Sequence, residues 1–218
     1  FKIPFNKFTR FVFDPFLTGK RLLTNQTFLD LFQYETVGGN EGIGVKDLTF
    51  LFTDLKGSTA LYERLGDFKA YTLVRQHFKS LGKVIVQNSG AIVKTIGDAV
   101  MASFMNPSSA VSAALQMLSE IETFNRKLPT KEIILKIGIH HGPSIAVTLN
   151  DRLDYFGQTV NIAARVQGLA EAEEIYLTED VFQTTGVQEL LAKCKIDKVK
   201  TSLRGLESDW AVIRISRK

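Results

Sequence analysis

Residues 45–59, Val45-Lys46-Asp47-Leu48-Thr49-Phe50-Leu51-Phe52-Thr53-Asp54-Leu55-Lys56-Gly57-Ser58-Thr59, read as a buried strand that hands a single carboxylate to a small polar turn. From Leu48 to Leu55 only Thr49, Thr53 and Asp54 are polar, which predicts a central strand covered on both faces. Asp54 leaves the core where the chain opens into Lys56-Gly57-Ser58-Thr59. Ser58 or Thr59 is expected to cap the helix that follows, leaving free N–H groups beside the carboxylate. A carboxylate next to an anion-accepting helix start suits a divalent cation that carries phosphates. Taken alone, Asp54 would serve equally well as a simple helix cap. Its surroundings decide.

C-terminal to this stretch, Ser58–Leu65 predicts a short helix stopped near Gly66. Asp67 is expected to cap a long helix whose apolar side carries Phe68, Tyr71, Phe78, Leu81 and Ile85. Ala91–Phe104 is two apolar runs meeting at Gly97-Asp98, the signature of a two-residue hairpin with Asp98 at its tip. A third helix is predicted over Ser109–Leu128, with Ala110, Ala113, Met117, Ile121 and Phe124 as core stripe. Ile133–His140 and Ser144–Leu149 read as strands separated by a Gly142-Pro143 turn, and Gly157–Leu169 as a helix with Asn161 and Arg165 on one face. A short strand at Ile175–Leu177, a short helix at Asp180–Thr184 and a strand pair around Cys194–Val199 and Trp210–Ile215 complete the chain. Helices interleaved with hairpins predict an α+β fold, a mostly antiparallel sheet with helices on one face.

N-terminal to it, Gly38–Gly44 reads as a linker; its glycines precede a strand instead of following one, which rejects a dinucleotide fingerprint. Thr24–Tyr34 is a helix candidate, and Phe1–Phe16 holds six phenylalanines broken by Pro4 and Pro15, read as a connector that packs its rings on a folded domain, the alternative being a membrane-surface or partner-docking segment. The division is therefore an N-terminal connector or regulatory segment, 1–44, and a catalytic domain, 45–218. The first segment is expected to be dispensable for chemistry. The 218 residues are 44% hydrophobic and 23% charged, as in globular domains. The net charge of +4 sits in the first 21 residues, where Lys2, Lys7, Arg10, Lys20 and Arg21 face Asp14. The remainder balances 22 basic against 22 acidic residues, which argues against a nucleic-acid partner. Cys194 is the sole cysteine, so neither an intrachain disulfide nor a multi-cysteine zinc site exists, as suits a cytoplasmic location. No apolar run reaches the ~18 residues of a membrane span. The chain opens on Phe1 with no Met and no signal-peptide pattern, and is read as part of a longer protein with an upstream regulatory domain.

Five blocks in order, FTDLKGST (52–59), VKTIGDAVMASF (93–104), IGIHHGPS (137–144), DYFGQTVNIAARVQG (154–168) and SLRGLESDWAVIRI (202–215), resemble the class III nucleotidyl cyclase catalytic domain. The resemblance implies a ferredoxin-like βαββαβ core and a head-to-tail homodimer with active sites at its interface. It implies cyclisation of ATP to 3′,5′-cyclic AMP and pyrophosphate, with two Mg²⁺ or Mn²⁺ ions held by Asp54, Asp98 and the Leu55 carbonyl. Backbone N–H groups of Lys56, Gly57, Ser58 and Thr59 would hold phosphate oxygens. Asn161 would orient the ribose, Arg165 would meet charge developing on the α-phosphate, and Arg204, where lysine is common in the family, would contact the terminal phosphates. Lys94 and Asp154 match the family's purine-reading lysine and aspartate and favour adenine. A guanylate cyclase is the enzymatic alternative. A non-catalytic nucleotide-binding dimerisation module is the other, disfavoured because neither Asp54/Asp98 nor Asn161/Arg165 is lost. His140 and His141, beside a strand end and far in sequence from His77, are read as structural.

Overall fold

The computed structural model describes residues 18–31, 42–149, 152–206 and 208–217. Two short helices, α1 (Gly19–Leu23) and α2 (Gln26–Leu31), precede β1 (Ile43–Leu55). Then come α3 (Ser58–Leu65), α4 (Asp67–Gln87), β2 (Gly90–Ile96), β3 (Ala99–Phe104) and α5 (Pro107–Asn125). The second half runs through β4 (Leu135–Leu149), β5 (Arg152–Phe156), α6 (Gln158–Leu169), β6 (Ile175–Thr178), α7 (Glu179–Phe182), α8 (Val187–Leu190), β7 (Cys194–Ser202) and β8 (Asp209–Arg217). The Phe-rich stretch 1–16 and most of the glycine linker lie outside the described residues; Ile43 and Gly44 already belong to β1.

All eight strands form one sheet in the order β2-β3-β1-β4-β6-β8-β7, with β5 paired to β4. Only the β4–β6 pairing is parallel. The run β1-α4-β2-β3-α5-β4, with β1 between β3 and β4, is the expected ferredoxin-like core. β1 owes its central place to period-two burial. Leu51 and Leu55 join the α4–α5 side with Val74, Leu81, Met117 and Ile121. Leu48, Phe50 and Phe52 face the other way, against Met101, Tyr155 and Ala163 of α6. Helices therefore cover both faces, not one, and this is why β1 is apolar on both sides.

Other expectations are corrected. Gly142-Pro143 is not a turn: β4 runs through it, and Pro143 sits where the β1–β4 register shifts between Val45 and Leu48, a place that needs no ladder N–H. Of the apolar side assigned to α4, Leu81 and Ile85 are buried and Phe78 packs against the core, but Phe68 and Tyr71 are 83% and 57% exposed, and Ala70, Val74, His77 and Val84 are buried in their stead. The 3.6-residue period passes through a histidine, which hid the true stripe. Gly66, not Asp67, caps α4, and Asp67 lies in its first turn. Of the predicted Thr24–Tyr34 helix, Gln26–Leu31 is helical as α2, residues 32–34 lie outside the described residues, and α1 at Gly19–Leu23 was not expected.

Two of the histidines make stability depend on pH. His77 is fully buried with neither ring nitrogen hydrogen-bonded, and burial lowers its pKa to about 4. His140, paired through Nδ1 with Thr178 Oγ1 at 2.8 Å, is also lowered to about 4, by burial first and the His141 charge last, against the pull of Asp180. Because both folded values lie below the unfolded ~6.5, the unfolded chain binds more protons between pH 6.5 and 4. Stability is thus fully present above pH 6.5 and is lost as pH falls, by up to about 1.4 kcal/mol per pH unit per histidine. Denaturant midpoints measured from pH 7.5 to 4.5 should fall, and His77→Leu should flatten the slope; a midpoint constant down to pH 5 contradicts this.

Candidate active site

The β2–β3 hairpin closes through Gly97 and Asp98 between the paired Ile96 and Ala99, as the dipeptide predicts. β1 pairs with β3 up to Thr53↔Val100, so Asp54 stands beside that turn, at the same end of the sheet as Asp98. Thr53 Oγ1 accepts from the Val100 N–H at 3.2 Å in the core, locking this register. Among the described residues Asp98 Oδ2 is buried with no hydrogen-bond partner. Asp54 Oδ2 receives the ammonium of Lys136, from β4, at 2.8 Å. After Leu55, the Lys56 N–H donates to the Ile134 carbonyl at 2.8 Å, so it is not among the free amides. Gly57, in the left-handed region, caps α3 with no side-chain bond; Ser58 and Thr59 are first-turn residues and not the cap. The N–H groups of the α3 first turn are the orphan donors of a helix start.

A second cluster lies on β2 and β5. Lys94 Nζ donates to both Asp154 oxygens, at 2.9 and 2.6 Å. A register shift in β2 between Ile92 and Lys94 re-aims the lysine, as bulges beside functional sites do. Asp154 lies on a strand: β5 pairs Val147 with Asp154, and the carboxylate is mostly buried and also accepts the Tyr155 N–H at 2.8 Å.

The third cluster is seated by α6. Thr159, Ile162, Ala163 and Val166 are buried against the sheet, leaving Asn161 exposed and Arg165 half-exposed on the helix flank. The seating is close: a Cβ on Gly138 of β4 would stand 2.1 Å from the Gln167 backbone nitrogen, so only glycine admits the helix. Arg204 is exposed on the β7–β8 connection, and a Cβ on the adjoining Gly205 would be 3.4 Å from Arg165 Nη2. Both guanidinium-bearing segments therefore meet.

Within one chain the structure joins Asp54 to the Asp98 turn, Lys94 to Asp154, and Arg165 to the Arg204-Gly205 turn. Among the described residues no hydrogen bond or ion pair links either metal-candidate carboxylate to Lys94, Asn161, Arg165 or Arg204. The family model described as the adenylate and guanylate cyclase catalytic domain matches residues 44–207. The chain belongs to that family. An adenylate cyclase of Anabaena cylindrica is 32% identical over 166 residues, 69% of this chain and 33% of that protein. Guanylate cyclase 32E of Drosophila melanogaster is 27% identical over 170 residues, 72% of this chain and 14% of that protein. The chain thus spans a third or less of these relatives' length. The crystal structure of the adenylyl cyclase CyaB from P. aeruginosa superposes with a TM-score of 0.69 at 21% identity, over 82% of this chain and 97% of that one, a likeness of fold.

The donor set of this cyclase domain fits a divalent cation. Asp98 presents a buried oxygen with nothing to bond, a standing cost of about 1–3 kcal/mol that a cation would relieve. No group of three or more His, Cys, Asp or Glu side chains stands together among the described residues. Two carboxylates suffice for an ion whose remaining ligands are substrate phosphates and water. Lys136 is the residue that the sequence did not reveal: it lies one position before the Ile137–Ser144 block, and its neighbour Asp54 is 82 residues away in the chain. His140 and His141 lie apart from these carboxylates; His141 Nδ1 is 2.9 Å from Thr49 Oγ1, and burial lowers its pKa.

Proposed function

We propose that this cyclase domain is an adenylate cyclase, converting ATP to 3′,5′-cyclic AMP and pyrophosphate at sites shared by two copies of the chain. The observation that carries the reading is the Lys94–Asp154 pair. An ammonium can donate to adenine N1 and a carboxylate can accept from its N6 amine; guanine offers a donor at N1 and an acceptor at O6, the opposite pattern. The pair is already assembled, which spares the ordering cost on binding.

In the reaction the ribose 3′-oxygen bonds to the α-phosphorus, the bond between the α-phosphorus and pyrophosphate breaks, and the hydroxyl proton passes to solvent water. Asp54, the Leu55 carbonyl and Asp98 would hold two Mg²⁺ or Mn²⁺ ions. Once bound, such ions acidify the hydroxyl and offset the charge of the leaving group. The Gly57, Ser58 and Thr59 amides hold phosphate oxygens at the α3 start. Lys136, losing Asp54 as partner, takes a phosphate oxygen instead. Asn161 orients the ribose, Arg165 meets the charge developing on the α-phosphate, and Arg204 grips the terminal phosphates. The two carboxylates and Asn161/Arg165 are brought together by a second copy in a closed twofold homodimer. The division into a regulatory segment 1–44 and a catalytic domain 45–218, a signal from an upstream domain and a cytoplasmic location belong to the same reading. No helix among the described residues is long and apolar enough to cross a membrane.

Competition between equimolar ATP and GTP with Mn²⁺, with products identified by mass spectrometry, tests the assignment. Wild type should give chiefly cyclic AMP. Lys94→Glu with Asp154→Cys should shift the product ratio towards cyclic GMP by roughly ten-fold or more, since each mismatched buried group costs about 1–3 kcal/mol. Chiefly cyclic GMP from wild type, or no cyclic product, contradicts the reading, and an unchanged ratio in the double variant contradicts the base assignment.

A further inference from the structure

We infer that α1 and α2 form a splint on the base-reading pair, with Gln26 and Tyr155 as positioning residues for nucleotide selection. The inference rests on the assignment of Lys94 and Asp154 to the base.

β2 is the terminal strand of the sheet, and an edge strand has a row of backbone groups without a partner strand. Lys94 sits on it, just past the register shift, where the ladder is weakest. The Gln26 side-chain oxygen accepts the Ile92 N–H at 2.7 Å, two residues before Lys94. Gln26 is itself held, its amide nitrogen donating to Asp30 Oδ1 at 2.8 Å. On the other strand, the hydroxyl of Tyr155, the neighbour of Asp154, donates to the Leu23 carbonyl of α1 at 2.9 Å. Burial pushes the Tyr155 phenol up, so it remains a donor throughout the physiological range. Leu23 packs on the same apolar cluster as Val93 and Leu153, the residues preceding Lys94 and Asp154. Lys20 adds an ion pair to Asp47 of β1 at 3.1 Å.

Two polar ties and one apolar plug thus run from a single helical pair to residues within two positions of both base-reading residues, and none of them reaches the carboxylate end of the sheet. The splint fixes the separation of the Lys94 ammonium and the Asp154 carboxylate; it does not touch the groups that act on phosphorus. Displacing α1 and α2 would loosen base recognition while leaving the chemistry intact. Loss of residues 1–43 should accordingly preserve turnover and weaken substrate selection.

In the full chain with Mn²⁺, Gln26→Ala and Tyr155→Phe are each expected to raise KM for ATP about three- to ten-fold, the worth of one lost hydrogen bond, with kcat within about two-fold of wild type. The preference for ATP over GTP should narrow by a similar factor. Tyr155→Phe keeps the ring against Phe50, so the fold is retained. Gln26→Glu combined with Asp30→Asn keeps the acceptor for Ile92 and removes the like charge, and should restore KM. Amide exchange measured by NMR needs no turnover. In Gln26→Ala it should quicken at Ile92 and also at Tyr155, on a strand Gln26 does not bond, whose N–H is held by the Asp154 carboxylate. Variants that lose kcat with KM and the ATP/GTP preference unchanged, or a Tyr155 amide exchanging at the wild-type rate, overturn the splint. A wild-type chain that cyclises neither nucleotide overturns the adenylate cyclase reading instead, and the Tyr155 exchange rate then decides the splint alone.

Discussion

Asp98→Ala is expected to cut cyclic nucleotide formation by more than about 100-fold while leaving the melting temperature unchanged or slightly raised; even partners outside a metal's first coordination sphere are worth 10–100-fold. The two halves of this result have one cause. In the metal-free chain, Asp98 Oδ2 is a buried acceptor without a donor, so the carboxylate contributes nothing to folding that alanine would forfeit. Asp54→Ala should be as inactive but less stable. Its removal leaves Lys136, whose side chain is 18% exposed, without its 2.8 Å partner. The expected loss is about 1 kcal/mol, or ~2–4 °C in a domain of this size. Thermal melts without metal, followed by assay at saturating Mn²⁺, separate the two variants. Near-normal activity in either one contradicts the metal assignment, and an Asp98→Ala melting point several degrees below that of Asp54→Ala contradicts the electrostatic account.

The carboxylate end was legible in the sequence because its signals are local. A buried apolar run stopping at Asp54, and Gly97-Asp98 between two apolar runs, place both residues on strand ends without any knowledge of pairing. What the sequence concealed needs contacts between distant residues. Lys136 belongs to the site only because β4 pairs with β1, bringing it to Asp54. β5 escaped notice because Arg152–Phe156 is five residues long and carries Asp154, which reads as a loop carboxylate until Lys94 from β2 is set against it. Gly142-Pro143 has turn chemistry, yet a register shift absorbs the proline inside a continuous strand. The α4 stripe was misread for a different reason: His77 occupies a core position while Phe68 and Tyr71 lie in solvent, against their usual partition. The docking of α1 and α2 left no motif in the sequence, since it runs through one glutamine side chain, one backbone carbonyl, the Leu23 side chain and the Lys20–Asp47 ion pair, none of which forms a recognisable pattern.

A site built from two copies makes a quantitative demand on mixtures. Among the described residues no hydrogen bond or ion pair joins the carboxylate pair to the Asn161/Arg165 face, and the proposed twofold dimer supplies each site with the carboxylate pair of one copy and the Asn161/Arg165 face of the other. Asp98→Ala and Arg165→Ala homodimers should therefore both be nearly inactive, for opposite reasons. In a heterodimer of the two, one site collects both lesions and the other collects neither. With random pairing half the dimers are mixed, and each has one intact site of two, so activity should return to roughly a quarter of wild type. Co-expression of the two variants, with differently tagged chains purified in tandem, avoids dependence on subunit exchange and isolates the mixed dimer, which should then show roughly half of wild-type activity per dimer. Recovery to that level is the result expected of a cyclase site shared between copies. A mixed dimer no more active than the sum of the two variants' residual rates would place the whole site within one chain and contradict the account.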